Sequence, residues 1–350
     1  MKIIRFTLLF FLAGLFTQLS AQDIHWSLYN MSPLTLNPAL TGAYLGTARI
    51  GGIYRDQAPN ISNGKGYQTP SFYIDSPILA VGKKDWIGIG AMLYSDQAGS
   101  ASLTNQGAFA SIAYHKALDK KGNSLLSFGL QGGVLQRDID VNELRFGDEV
   151  LDQLQSGATM ITQNPLNRSD INGSSAFDLN AGIMLTAQVN KQTDLNIGLS
   201  FYHILSPEYT LLSSNSINTP KGRRDLPLRF QLHGQFNFDL NKKWMLSPTF
   251  LYNQTHSANE IQVQGMVGYK LNDKDPMIIK LGPGYRLGDA LEVLLGVDYK
   301  SFKFGASYDV TLSGLNDINN GVGGFEFALS YIIKIFKAPT VKPVVICPRL

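Results

Sequence analysis

Gly324-Phe325-Glu326-Phe327-Ala328-Leu329-Ser330-Tyr331-Ile332-Ile333-Lys334-Ile335 is the stretch that decides the fold. Phe325, Phe327, Leu329, Tyr331, Ile333 and Ile335 share one parity. Gly324, Glu326, Ala328, Ser330 and Lys334 share the other, with Ile332 the one bulky aliphatic among them. A β-strand places successive side chains on opposite faces, so this segment has one apolar and one polar face. The segment before it repeats the pattern, with Phe302, Phe304, Ala306, Tyr308 and Val310 set against Lys303, Gly305, Ser307, Asp309 and Thr311.

Working outward, the same alternation predicts strands near 46–57, 68–78, 86–95, 106–116, 124–136, 175–189 and 193–204, then near 226–240, 243–254, 260–271, 276–287, 290–300, 301–312 and 322–336. The connections sort into two classes. Every second one is short and charged: Gly82-Lys83-Lys84-Asp85, Asp119-Lys120-Lys121-Gly122-Asn123, Asn190-Lys191-Gln192, Asn241-Lys242, Asn272-Asp273-Lys274-Asp275 and Lys300-Ser301. The alternate ones include the long connections near 58–67, 137–174, 205–225 and 312–321. A soluble two-sheet sandwich has no reason to sort its loops in this way. A membrane barrel has short periplasmic turns and longer outer loops. The reading is therefore an all-β chain: a transmembrane, antiparallel outer-membrane β-barrel of about fourteen strands, with both barrel ends on the periplasmic side.

The start of the chain agrees with export. Lys2 and Arg5 precede an apolar run from Phe6 to Phe16, and Leu19-Ser20-Ala21-Gln22 supplies small and polar residues. That order predicts a secretory signal peptide over 1–21, cleaved after Ala21; the run is short for a spanning helix, which needs about 20 apolar residues. Without Lys2 and Arg5, the 30 basic side chains become 28 against 27 acidic ones. A chain so close to neutrality has no electrostatic case for binding nucleic acid. Cys347 is the only cysteine, so an intramolecular disulfide is excluded, and it is left as a free thiol or a link to a partner.

Catalytic patterns are thin. His25, His115, His203, His233 and His256 are scattered, with no Gly-x-Ser-x-Gly and no His-Glu-x-x-His. Asp317-Ile318-Asn319-Asn320-Gly321 lacks the distal Glu of a calcium loop and reads as an outer turn. No enzyme activity, cofactor or metal is expected. The polar faces carry both signs of charge, among them Arg229, Lys280, Arg286, Glu292, Asp298, Lys303, Asp309, Glu326 and Lys334. Mixed signs favour a lumen filled by ion pairs over a selective pore. Residues 22–43 are too apolar to be left in water, and Pro33 and Pro38 keep them out of regular pairing. They are expected to fold into the lumen, or across its periplasmic mouth, as a plug. That leaves 44–336 as barrel and 337–350 as a proline-broken, cationic periplasmic tail.

Several blocks resemble one family, the PorP/SprF membrane proteins of the type IX secretion system of Bacteroidetes. Asp23-Ile24-His25-Trp26-Ser27-Leu28-Tyr29 and Asn37-Pro38-Ala39-Leu40-Thr41-Gly42 are similar to the opening of the family's mature chain. Tyr54-Arg55-Asp56-Gln57 follows, and then Gln136-Arg137-Asp138-Ile139-Asp140 leading to Leu144-Arg145-Phe146-Gly147-Asp148. Leu281 to Arg286, Gly305 to Ser313 with Tyr308-Asp309, Gly324 to Tyr331, and Cys347-Pro348-Arg349 continue the match to the end. Ile24 stands where the family has proline, and 150–172 does not align. The resemblance implies a non-enzymatic barrel acting in export or surface attachment of proteins that carry a C-terminal sorting domain, often large adhesins, in some members for gliding motility. It implies contact with the periplasmic ring of the machine, and it marks Tyr29, Asn37, Pro38, Arg55, Arg137, Asp140, Phe146, Asp148, Arg286, Asp309, Glu326 and Cys347 as partner or structural positions. Arg137, Asp140, Phe146 and Asp148 are expected to hold the base of the longest outer loop. A solute porin or transporter and a hydrolase with a site at the rim are the alternatives from other classes.

Overall fold

A computed structural model describes residues 24–59, 67–99, 101–119, 123–141, 171, 173–211, 225–256, 258–271, 277–314 and 316–335. The expectations for the signal peptide, for Phe146 and Asp148, and for the tail with Cys347 fall outside these residues. The first strands are β1 (Ala48–Gln57), β2 (Tyr67–Val81), β3 (Asp85–Ala98), β4 (Leu103–Ala117), β5 (Ser124–Asp138), β6 (Ser174–Asn190) and β7 (Thr193–Tyr202). The rest are β8 (Arg229–Asp239), β9 (Trp244–Gln254), β10 (Asn259–Lys270), β11 (Met277–Arg286), β12 (Ala290–Tyr299), β13 (Phe302–Thr311) and β14 (Val322–Ile333). Each pairs antiparallel with its neighbour in sequence, and β1 pairs with β14, so the sheet closes. All fourteen strands expected from the alternation are present. The Asp317–Gly321 stretch differs in detail: it begins within one helical turn, Asn316–Asn319, in the β13–β14 connection.

Burial is inverted relative to a soluble protein. Leu93, Leu130, Val263, Leu281, Val293, Leu329 and Phe327 are exposed, while Gln131, Asp178, Gln262, Glu292 and Glu326 are buried. An apolar outer face of this extent is stable only against hydrocarbon. Closure satisfies the strand backbones where water is absent. Aromatic side chains gather on the outer face at both ends. Trp244, Tyr269, Tyr299, Phe302 and Tyr331 lie toward the short turns, and Phe177, Phe230, Tyr252, Tyr285 and Tyr308 toward the long loops. Such girdles mark the two membrane–water boundaries. Leu295 lies between them in mid-strand on the lipid face. Leu295→Arg is expected to destabilise the barrel by about 2–4 kcal/mol, read as a lower urea midpoint in lipid vesicles.

The connections at 82–84, 191–192, 240–243 and 300–301 lie at one end, together with the start of β1 and the end of β14. Strands β1, β5, β7 and β13 end at the other, and β2, β6, β8 and β14 begin there. Inside, the chain from Ile24 to Tyr44 runs down the lumen from the long-loop end to the short-turn end before β1 turns back up. Trp26, Leu28, Tyr29, Leu34, Leu36, Ala39 and Leu40 in this segment are all buried. Its local structure follows its prolines. Pro33 opens the single-turn helix α1 (Pro33–Leu36), and Pro38 opens the 3-10 turn Pro38–Leu40. Proline suits a first helical position because its missing N–H would have no partner there. Asn37 stands between the two turns in extended conformation, and its side chain accepts from Ala39 N at 2.9 Å.

Candidate functional site

The site is the contact between this inner segment and the barrel wall, and it has three levels. At the long-loop level, Arg55 on β1, Arg286 on β11, Glu292 on β12, Asp309 on β13 and Glu326 on β14 point inward and are buried. Ser27 sits at their centre with no exposed surface. Its N–H and that of Leu28 donate to the two oxygens of Glu326, each at 2.7 Å. The Ser27 hydroxyl donates to Asp309 at 2.8 Å and accepts from Arg286 Nη2 at 2.7 Å. Arg55 pairs with Glu326 and, at 3.3 Å, with Asp309. Arg286 reaches Glu292 at 2.9 Å, Asp289 at 2.9 Å and Asp309 at 3.3 Å. Gln264 completes the ring, donating to the Ser27 carbonyl at 2.7 Å and to Glu292 at 2.8 Å. Buried charges persist when each is paired and hydrogen-bonded. Here the plug backbone supplies part of that pairing.

At the middle level the wall satisfies carbonyls that such short helical turns leave open. Gln231 Nε2 donates to the Leu36 carbonyl at 2.7 Å, Gln131 Nε2 to that of Leu34 at 3.1 Å, and Tyr202 Oη to that of Thr35 at 2.8 Å. Asn37 Nδ2 donates to the carbonyl oxygens of Ile183 at 3.2 Å and Leu199 at 3.3 Å, and lies 3.1 Å from His233 Nε2. Tyr29 Oη donates to Thr249 at 2.7 Å. Two inward glycines admit this approach. A Cβ on Gly129 would lie 2.2 Å from the Pro38 carbonyl carbon, and one on Gly182 would lie 2.0 Å from Asn37 Oδ1.

At the short-turn level, Arg49 on β1 pairs with Asp75 on β2 at 2.7 Å. Asp75 also accepts from Gly42 N at 2.7 Å, and Arg49 donates to the Leu40 carbonyl at 3.1 Å. The Arg49 guanidinium lies over the Tyr44 ring, 4.6 Å from its centre, a cation–π geometry. His115 lies 2.8 Å from the Thr41 carbonyl oxygen.

Of the positions singled out from sequence, Arg55, Arg286, Asp309 and Glu326 meet in one cluster, and Tyr29, Asn37 and Pro38 lie on the plug itself. Arg137 and Asp140 lie apart, at the long-loop end. Arg137 donates to Asn105 at 2.6 Å and stacks on Tyr209, with 4.2 Å between the guanidinium and the ring centre. Asp140 is exposed and its N–H donates to the Ala101 carbonyl at 3.0 Å. Sequence reasoning gave no role to Ser27, Gln264, Arg49, Asp75 or the glycine floor. Strand parity marks each of the wall residues as inward-facing, but gives no partner. Among the described residues, no group of three or more His, Cys, Asp and Glu side chains is placed to hold a metal ion. His203 pairs with Asp178 at 2.9 Å, and both side chains are buried.

This architecture has relatives of known structure. The Ralstonia pickettii toluene transporter TbuX superposes with a TM-score of 0.51 at 13% identity, over 87% of this chain and 94% of that one. The Pseudomonas putida toluene transporter TodX gives 0.50 at 12% identity, over 86% and 92%. At such identities the likeness is one of fold, an outer-membrane barrel. No curated protein matches in sequence. The family model described as type IX secretion system membrane protein PorP/SprF matches residues 18–331, nearly the whole described barrel and its plug. The chain belongs to the PorP/SprF family of type IX secretion system membrane proteins.

Proposed function

We propose that this chain acts as an occluded, non-enzymatic barrel of the outer membrane that serves the type IX machine in export or surface attachment of proteins with a C-terminal sorting domain, adhesins among them. The observation that carries this reading is the inner segment, held at both ends by buried ion pairs and at its middle by side-chain donors from the wall. A lumen committed to its own chain leaves the two rims to meet partners. The long loops face the exported cargo, since variable loops on a rigid scaffold are where barrels bind. The short turns and the 337–350 tail face the periplasmic ring. Gliding motility is one process in which such an attachment would serve.

Two measurements test it. In planar bilayers the intact chain should show little steady conductance, and deletion of residues 24–41 should raise it. Cells lacking the chain should retain a sorting-domain cargo that the wild type delivers to its surface. Steady conductance by the intact chain, together with normal cargo delivery in its absence, would replace this reading with that of a solute channel. The tail has its own test. A chain ended after Phe336 should still assemble yet co-purify with less of the secretion ring, and undiminished recovery would show that the contact lies in the turns.

A further inference from the structure

The short-turn end repeats one local pattern. An apolar residue stands two places before a lysine in Val81-Gly82-Lys83, Leu118-Asp119-Lys120, Val189-Asn190-Lys191 and Leu240-Asn241-Lys242. Leu118, Val189 and Leu240 keep the lipid-face parity of β4, β6 and β8, and each is at least half exposed. Trp244 and Tyr299 of the aromatic girdle adjoin Lys243 and Lys300 in the chain. Lys116 lies on the outer face of β4 itself, exposed and two residues beyond Tyr114. Lysines that extend from apolar surface at such a girdle bring their ammonium groups to the headgroup layer of a bilayer.

The charge at this rim is one-sided even when every carboxylate is counted. Among the described residues in the turns or on the outer face here, Lys83, Lys84, Lys116, Lys191, Lys242, Lys243 and Lys300 stand with Asp85 and Asp119. The rest of the β4–β5 and β10–β11 connections adds Lys120, Lys121 and Lys274 with Asp273 and Asp275. Whatever pairs form inside this set, its carboxylates are too few to neutralise its ammonium groups. The lumen face of the same end carries Lys270, Lys280, Lys303 and Lys334 with Asp194, Asp239 and Asp298, beside the Arg49–Asp75 pair, and leaves the sign unchanged. The rim is densest at one corner. Asp85 accepts from Ala117 N at 3.0 Å and from Tyr114 Oη at 2.7 Å. Those bonds set the start of β3 beside the end of β4, and so Lys83 and Lys84 near Lys116. Farther along the same outer face, Ile89 and Ile112 stand opposite each other, both exposed.

We propose that this rim binds the phosphate groups of anionic phospholipids in the leaflet it borders, most strongly at the corner of Lys83, Lys84 and Lys116, with acyl chains along Ile89 and Ile112. Basic clusters beside a membrane-embedded surface attract anionic headgroups in this way. An acidic protein fits less well, because Lys116 lies on the face that meets lipid and the turn lysines follow exposed apolar side chains. The inference does not depend on the secretion reading, since it needs only that the apolar outer face stands in hydrocarbon.

The test places the full-length protein in phosphatidylcholine vesicles with a trace of spin-labelled phosphatidylglycerol or spin-labelled phosphatidylcholine, and reads the motionally restricted fraction of each label. Phosphatidylglycerol should be favoured at least threefold, and the preference should shrink as salt is raised. A Lys83→Gln, Lys84→Gln, Lys116→Gln variant that keeps the heat-modifiable gel mobility of a folded barrel should lose at least half of that preference. Lys116→Gln alone, an exposed change, should lose less, and Lys116→Arg should keep it. Equal restriction of the two lipids by the wild type would overturn the proposal, and so would an undiminished preference in both glutamine variants. Loss of the preference on adding soluble glycerophosphate would assign the lysines to free phosphate, and loss on adding a Leu-Glu-Glu-Leu-Glu-Glu peptide would assign them to an acidic protein; either would overturn it. No secretion is measured, so failure here would leave the secretion reading standing, and failure of that reading would leave the lipid preference standing.

Discussion

Replacing Glu326 with alanine is expected to cost about 3–5 kcal/mol of barrel stability, the range for removing one partner from a buried charge pair. The substitution strips Arg55 of its closest partner and leaves the N–H groups of Ser27 and Leu28 without that acceptor inside a buried cluster. Each orphaned donor adds its own desolvation penalty. The loss should appear as a lower denaturant midpoint in vesicles and as new protease cleavage between residues 24 and 44. Glu326→Gln keeps an oxygen acceptor and the shape while losing the charge, so its cost should fall between wild type and alanine. Identical midpoints for all three proteins would mean that the cluster does not hold the plug.

The second large effect is expected at the glycine floor. Gly129→Val places a branched side chain where the Pro38 and Ala39 backbone already sits, with the nearest atom of that backbone 2.2 Å from the new Cβ. Over-packing of a core ordinarily costs about 1–3 kcal/mol, and backbone cannot step aside as a flexible side chain does. The plug should leave while the wall stays folded, because β5 keeps its partners β4 and β6. Bilayer recordings should then show more steady conductance than the intact chain gives, with unchanged heat-modifiable mobility on gels. Gly129→Val with closed-channel behaviour would show that occlusion does not depend on this floor.

The strands were legible because the two faces of this barrel meet unlike solvents. Phe325, Phe327 and Leu329 could take only one parity, and Glu326 and Ser330 only the other. The cluster was partly legible for the same reason. Arg55, Arg286, Asp309 and Glu326 are charged residues on faces that must point inward, and they stand within blocks that resemble the family. Their convergence was not legible, because it depends on closure, which brings β1 beside β14 across nearly the whole length of the chain. Ser27 illustrates the limit. A serine in an apolar N-terminal segment carries no periodic signal, yet it is the residue on which two arginines and two carboxylates converge. Arg49 and Asp75 were hidden similarly, each being one inward polar residue among many until register set them opposite one another.

Arg55 and Glu326 stand directly opposite each other in the ladder between β1 and β14, the first and last strands made and the only neighbours far apart in sequence. Slipping that ladder by one residue would swing every side chain of one strand to the other face, stranding an arginine or a glutamate in hydrocarbon. The peptide that precedes β1 donates to the same glutamate, so it can settle only when the two ends of the sheet meet in step. The obstruction in the lumen is in that sense also a gauge for assembly: a barrel sealed in the wrong register has nowhere to put its own beginning.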